Sequence, residues 1–115
     1  MSEEQLDELP FGAIVVDVEG TIRRYNAFEA QLSRLDPKRV IGRNFFRDIA
    51  PCTAVRGFEG RMKELVASDE RVSVTFDYRF PFAHGTVDVA ITLMKLSEDE
   101  VLIAVDRVVK PGSTN

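Results

Sequence analysis

Large apolar side chains recur at every second position in two runs, Val72, Val74, Phe76, Tyr78 and Phe80 in one and Val87, Val89, Ile91 and Leu93 in the next, with mostly polar residues between them. A period of two puts every second side chain on the same face, so each run predicts a half-buried β-strand. A third apolar run, Val101 to Val109, follows the polar turn Ser97-Glu98-Asp99, and the three runs predict long antiparallel strands that close the domain. Near the other end Phe11 to Asp17 is apolar and β-branched, Glu19-Gly20 supplies turn chemistry, and Thr21 to Tyr25 resumes an extended pattern, which reads as a hairpin.

The middle of the chain changes period. Asn26 can cap a short helix over Ala27 to Arg34, Asp36-Pro37 pairs an N-cap with proline at the first helical position, and Asn44 caps Phe45 to Ile49 after Gly42. Helices this short need a larger surface to pack on, and the sheet provides it. Phe58, Met62, Leu65 and Val66 recur at helical spacing after Gly57 and predict one longer amphipathic helix ending near Ser68, its apolar stripe facing the core. At the start, Ser2 followed three residues later by Gln5 resembles a capping box, so a short helix is expected from Glu3 to Leu9, closed by Pro10. Two strands, a cluster of helices and three more strands, with the helices grouped mid-chain, give an α+β class rather than alternating parallel α/β. Residues 1–9 read as an N-terminal helical cap, 10–109 as the domain and 110–115 as a disordered tail, with no internal repeat.

Composition narrows the function classes. A length of 115 residues fits one domain, and 44% hydrophobic with 30% charged residues is a globular balance. The net charge of -4 argues against nucleic acid or an anionic membrane as partner. Arg23 to Lys63 nevertheless holds ten Lys or Arg against four Asp or Glu, which reads either as solvated helix faces, the simpler account, or as a phosphate-binding patch. The single cysteine rules out an internal disulfide and a zinc site built on several thiols. The acidic start MSEEQLDEL is unlike a signal peptide, and no run of about 18 apolar residues is present, so a soluble cytoplasmic protein is expected. His84 falls in the turn Pro81 to Gly85, where it is expected in solvent and not as a haem ligand. One cysteine and one turn histidine assemble no nucleophile, base and orienter set, so no enzyme is expected.

Cys52, preceded by Pro51, and the pattern Tyr25-Asn26-x-x-Glu29 carry the remaining chemistry. The element order is similar to the PAS topology, a five-stranded antiparallel sheet with short helices and one longer connecting helix on one face. Tyr-Asn-x-x-Glu resembles what many PAS domains carry after the second strand. The block NFFRDIAPCT, Asn44 to Thr53, is more restricted, and the whole stretch FGAIVVDVEGTIRRYNAFEAQLSRLDPKRVIGRNFFRDIAPCT with TFDY at Thr75 to Tyr78 resembles the photoactive yellow protein family. Members of that family carry a p-coumaric acid (4-hydroxycinnamoyl) group in thioester linkage to a cysteine in an APCT motif, and blue light isomerises its double bond. Carried over position by position, the resemblance implies Cys52 as the attachment site and Tyr25 and Glu29 as hydrogen-bond partners of the phenolate end. Ser33 then stands where the family more often has threonine, and Ile14, Phe45, Ala50, Pro51, Phe76, Tyr78 and Phe80 line the pocket.

A buried phenolate needs donors. Tyr25 donates through its hydroxyl, and Glu29 donates only when protonated, which burial favours. Proton transfer from Glu29 would leave a buried carboxylate whose cost drives partial unfolding, so that light becomes a population shift. The chain departs from the family in four places: Leu35 stands where an arginine gates the pocket, with Arg34 one residue earlier; Thr53 to Gly57 is basic rather than acidic; the link from Cys52 to TFDY is a few residues shorter; and the cap is only residues 1–9. The alternative is a chromophore-less PAS module that dimerises or binds a partner protein, with Cys52 as a packing residue, Tyr25 as a core ring and Glu29 at the surface. PAS domains often pair through sheet faces or N-terminal helices, so a homodimer is one expectation. A downstream signalling protein would be met through the basic Arg34 to Lys63 region, the outer sheet face or the N-terminal helix.

Overall fold

In the computed structural model, which describes residues 2–82 and 84–107, the alternating runs become one antiparallel sheet. Its strands are β1 (Gly12–Asp17), β2 (Ile22–Tyr25), β3 (Ser73–Phe82), β4 (Gly85–Lys95) and β5 (Glu100–Arg107), in the order β2-β1-β5-β4-β3. The first strand therefore lies against the last, in register from Gly12 opposite Val105 to Asp17 opposite Glu100. Period-two patterning explains the pairing: Ile14 meets Ile103, Leu93 meets Ile103 from the other side, and Ile91 meets Val105, all on the face that becomes the core. The end of the expected last strand and the expected tail, Val108 to Asn115, lie outside the described residues.

The helices α2 (Ala27–Ser33) and α3 (Pro37–Val40) follow the predicted caps, with Asn26 and Asp36 accepting backbone N–H groups at their starts, while α4 (Arg61–Ala67) begins without a side-chain cap. Two segments differ from simple α-helix. Phe45–Ile49 is a π-helical turn, closed by the Ala50 N–H donating to the Phe45 carbonyl at 2.8 Å, and its wider winding buries both Phe45 and Phe46. The expected longer helix is composite, a π turn over Arg56–Gly60 running into α4. Phe58, fully buried, is the centre of the core, with the rings of Phe45, Phe46, Phe76 and Tyr78 at centroid distances between 5.2 and 5.9 Å.

The N-terminal helix α1 (Glu3–Asp7) has the predicted capping box between Ser2 and Gln5. It covers the opposite face of the sheet, where Leu6 and Leu9 pack on Ala13, Val15 and Leu102. Strand β3 runs on through Pro81 to Phe82, where a turn was expected. β3 is an edge strand, so the missing proline N–H interrupts no ladder on its open side. Among the described residues no helix is long and apolar enough to cross a membrane, and no His, Cys, Asp and Glu side chains group as a metal site.

Candidate functional site

Asn26 ends β2 and starts α2, and its side chain satisfies four backbone groups. Its Oδ1 accepts from the N–H of Glu29 and of Ala13, each at 2.9 Å, and its Nδ2 donates to the carbonyls of Leu6 at 2.8 Å and Phe11 at 3.0 Å. Asp7 adds a second tie from the N-terminal segment, its Oδ1 accepting from the Ala27 N–H at 2.8 Å. The capping role of Asn26 is readable from sequence. Its reach to Leu6 and Phe11 is a tertiary contact that no local pattern signals.

With α2 anchored this way, Glu29 in its first turn points beneath β1 and is only 3% exposed. Ser33, one turn on, shares its face. The Ser33 hydroxyl donates to the Glu29 carbonyl at 2.8 Å, so its one proton is used and Tyr25 is the donor in the 2.7 Å contact between Tyr25 Oη and Ser33 Oγ. Tyr25 Oη lies 3.5 Å from Glu29 Oε2, long for an O–H···O bond, and Glu29 Oε1 is buried with no partner. Burial pushes the Glu29 carboxyl from its ordinary 4.5 up to about 8, the tyrosine contact pulling slightly the other way. Burial first, and the neighbouring carboxyl second, raise the Tyr25 hydroxyl well above its ordinary 10. At neutral pH Glu29 is therefore a neutral acid with a proton to give.

A cavity of about 150 Å³ opens beside this cluster. Its wall is formed by Tyr25, Glu29, Ser33 and Leu35, by Phe45, Ile49 and Ala50 of the π turn and its end, and by Phe80, Pro81 and Phe82 of β3. Of the residues singled out in the sequence, Tyr25, Glu29, Ser33, Phe45, Ala50 and Phe80 come together there. Leu35 reaches the rim because Arg34 ends α2 in the left-handed conformation, φ 63°, leaving the arginine exposed and the leucine on the wall. Among the described residues no Lys or Arg is in the wall.

Ile14, Pro51, Phe76 and Tyr78, also expected as lining, are not among the described wall residues of this cavity. Ile14 is buried in the sheet's own ladder between Tyr25 and Ile103. Pro51 is exposed at the head of a 3₁₀ turn, Pro51–Thr53, where a missing N–H is harmless. Phe76 turns to Phe58, with the Arg61 guanidinium 4.7 Å over its ring. Tyr78 donates its hydroxyl to the Cys52 carbonyl at 2.7 Å.

Cys52 itself is partly buried and packs against the core, two residues beyond Ala50. The turn that carries it is closed by Thr53, whose N–H and hydroxyl both donate to the Ala50 carbonyl, at 2.9 and 2.6 Å. Burial raises the Cys52 thiol above its ordinary 9.0, partly offset by a backbone hydrogen bond and by Tyr78. His84 is exposed as expected, yet it is not idle: Nε2 lies 2.8 Å from the Leu32 carbonyl and the ring stacks on Phe82, 5.3 Å between centroids. That contact ties the β3–β4 hairpin to α2 over the cavity. Leu35 stands in the wall as its gate position in the sequence implied, whereas sequence reasoning missed Ile49, Pro81 and Phe82 because it placed the β3 turn too early or followed only the family's lining set.

Comparison with known proteins agrees with the fold. The PAS fold family profile matches residues 6–106. The photoactive yellow protein of Halochromatium salexigens is 42% identical over 108 residues, covering 93% of this chain and 86% of the relative. That of Rhodothalassium salexigens is 41% identical over 109 residues, with 94% and 86% covered. The crystal structure of the photoactive yellow protein domain from the sensor histidine kinase Ppr of Rhodospirillum centenum superimposes with a TM-score of 0.86 at 42% identity, covering 93% of this chain and 94% of that one. A sheet in this strand order, a Tyr25–Glu29–Ser33 cluster beneath it and identity at this level over nearly the whole chain place the protein among the PAS-type sensory signalling modules, in the photoactive yellow protein family.

Proposed function

We propose that the domain is a blue-light receptor that carries p-coumarate as a thioester on Cys52. One observation carries the reading: the buried Glu29 carboxyl and the Tyr25 hydroxyl, 3.5 Å apart, face a common cavity whose wall includes Ala50, in the same APCT segment as Cys52. A ligand oxygen accepting from protonated Glu29, and from Tyr25 once its proton turns from Ser33, fits the chemistry of that donor set. When bound, the group supplies absorption in the blue and a double bond that light isomerises.

The chain's own residues do the rest. The Cys52 sulfur would hold the acyl end, while Tyr25 and Glu29 would donate to the phenolate and Ser33 would orient Tyr25. Leu35, Phe80 and Phe82 put apolar side chains in the wall beside the pair. Glu29 stores a proton; once that proton leaves, a carboxylate is stranded in a wall that holds no Lys or Arg among the described residues, at a cost of several kcal/mol. Opening α2 relieves the cost, and Asn26 and Ala27 pass the opening to the N-terminal segment through their bonds to Leu6 and Asp7. A downstream signalling protein would read that segment.

The test is acylation of the purified protein with activated p-coumaric acid at alkaline pH, where the raised thiol ionises and displaces the activating group from the acyl carbon. The expected product absorbs in the blue, bleaches on illumination and carries one p-coumaroyl group in place of the Cys52 thiol hydrogen; a colourless, unmodified protein overturns the reading. A second reading, a chromophore-less module acting through protein contacts or homodimerisation, is favoured by the packing of Cys52 against the core rather than on the cavity wall. It predicts that colourless result together with a concentration-dependent size by light scattering.

A further inference from the structure

Gly12 stands near the start of β1, opposite Val105 in the interior of the sheet. Its φ is not in the left-handed region that favours glycine, which among the described glycines is occupied by Gly20, Gly42 and Gly85. Glycine in a strand interior weakens the strand and usually marks a close approach. Here the approach is to Glu29: a Cβ on residue 12 would lie 2.1 Å from Oε1, 3.2 Å from Cδ and 3.3 Å from Cβ of that side chain.

We propose that Gly12 is the positioning residue for the Glu29 carboxyl: the side chain absent from β1 is the space that the carboxyl occupies, and this fixes which oxygen lies under the strand and which is offered to Tyr25. The contact set fits. Oε1 is the atom against Gly12 and has no hydrogen-bond partner, while Oε2 faces Tyr25 Oη. A carboxyl pinned under a strand is both dry and unable to turn toward solvent, which is the condition for holding its proton at neutral pH. Among the described residues of the cavity wall, Tyr25 is the one titratable side chain besides Glu29. The inference deepens the reading of Glu29 as the stored proton and rests on it, but it needs no bound chromophore.

The experiment uses the full chain without p-coumarate. The C=O stretch of protonated Glu29, assigned as the infrared band lost in Glu29→Gln, is followed through a pH titration in wild type and in Gly12→Ala. Displacing the carboxyl from under β1 is expected to shift the band and to lower its midpoint by about one pH unit or more, a tenfold change in proton affinity. Alanine is otherwise the better strand residue, so thermal stability is read in parallel. Gly12→Ala should lower Tm in wild type and recover most of that loss in a Glu29→Ala background, and if Gly12→Ala alone fails to fold, folding of the double variant supports the proposal. An unmoved band and midpoint, or an equal loss of stability in both backgrounds, overturns it. Failure of p-coumarate to attach leaves this titration intact, so the two claims fall separately.

Discussion

Replacing Glu29 by Gln is expected to abolish a pH dependence of stability that this side chain alone imposes. Burial raises the carboxyl from 4.5 to about 8 in the folded chain. Between those values the folded state keeps the proton and the unfolded state has lost it. The unfolded state thus binds fewer protons, and stability falls as pH rises. The slope is roughly 1.4 kcal/mol per pH unit, so about 5 kcal/mol is lost across the window, a large share of the roughly 5–15 kcal/mol that holds a domain folded. Below the window both states are protonated and above it both are ionised, so the contribution is flat at each end. The amide has nearly the same shape and no charge, and it removes the slope. Urea midpoints of both chains, measured through this window, give the answer as a difference in which every other carboxylate cancels. Parallel curves for the two chains would show that Glu29 is not buried as a neutral acid, and the reasoning about the site would fail.

Two further substitutions probe the frame around the site. Asn26→Asp keeps the acceptor for the Ala13 and Glu29 N–H groups and removes the donors to the Leu6 and Phe11 carbonyls; about 1–3 kcal/mol should be lost, with faster hydrogen exchange across α1, and unchanged exchange there would break the proposed link to the N-terminal segment. Phe58→Ala empties the centre of the aromatic cluster and should cost about 3–5 kcal/mol by denaturant unfolding, whereas a loss near zero would mean that the cluster collapses to fill the gap.

Much of the sheet is readable from the chain because its two faces meet different surroundings: Val89, Ile91 and Leu93 alternate with polar residues since only one side is core. Caps are readable because Asn26, Asp36 and Asn44 act within a few residues of themselves. What escapes is set by partners distant in sequence. Pro81 stays in a strand because β3 is at the edge of the sheet, and position 81 cannot announce that. Phe76 and Phe80 occupy the same face of one strand, yet Phe58 claims the first and the cavity takes the second. The π turns at Phe45–Ile49 and Arg56–Gly60 follow helical composition and differ only in winding, which packing of Phe45, Phe46 and Phe58 decides. Gly12 carries the clearest lesson: in sequence it is one residue of an apolar strand, and only its distance to Glu29 gives it a role.

The central claim is that Glu29 holds the proton that light moves. A light-minus-dark infrared difference spectrum of the protein acylated with p-coumarate at Cys52 tests it directly. The account predicts loss of a protonated-carboxyl band on illumination, gain of a carboxylate band, and absence of both in Glu29→Gln. The same carboxyl bands appearing in Glu29→Gln, or none in a wild type that bleaches normally, would contradict it.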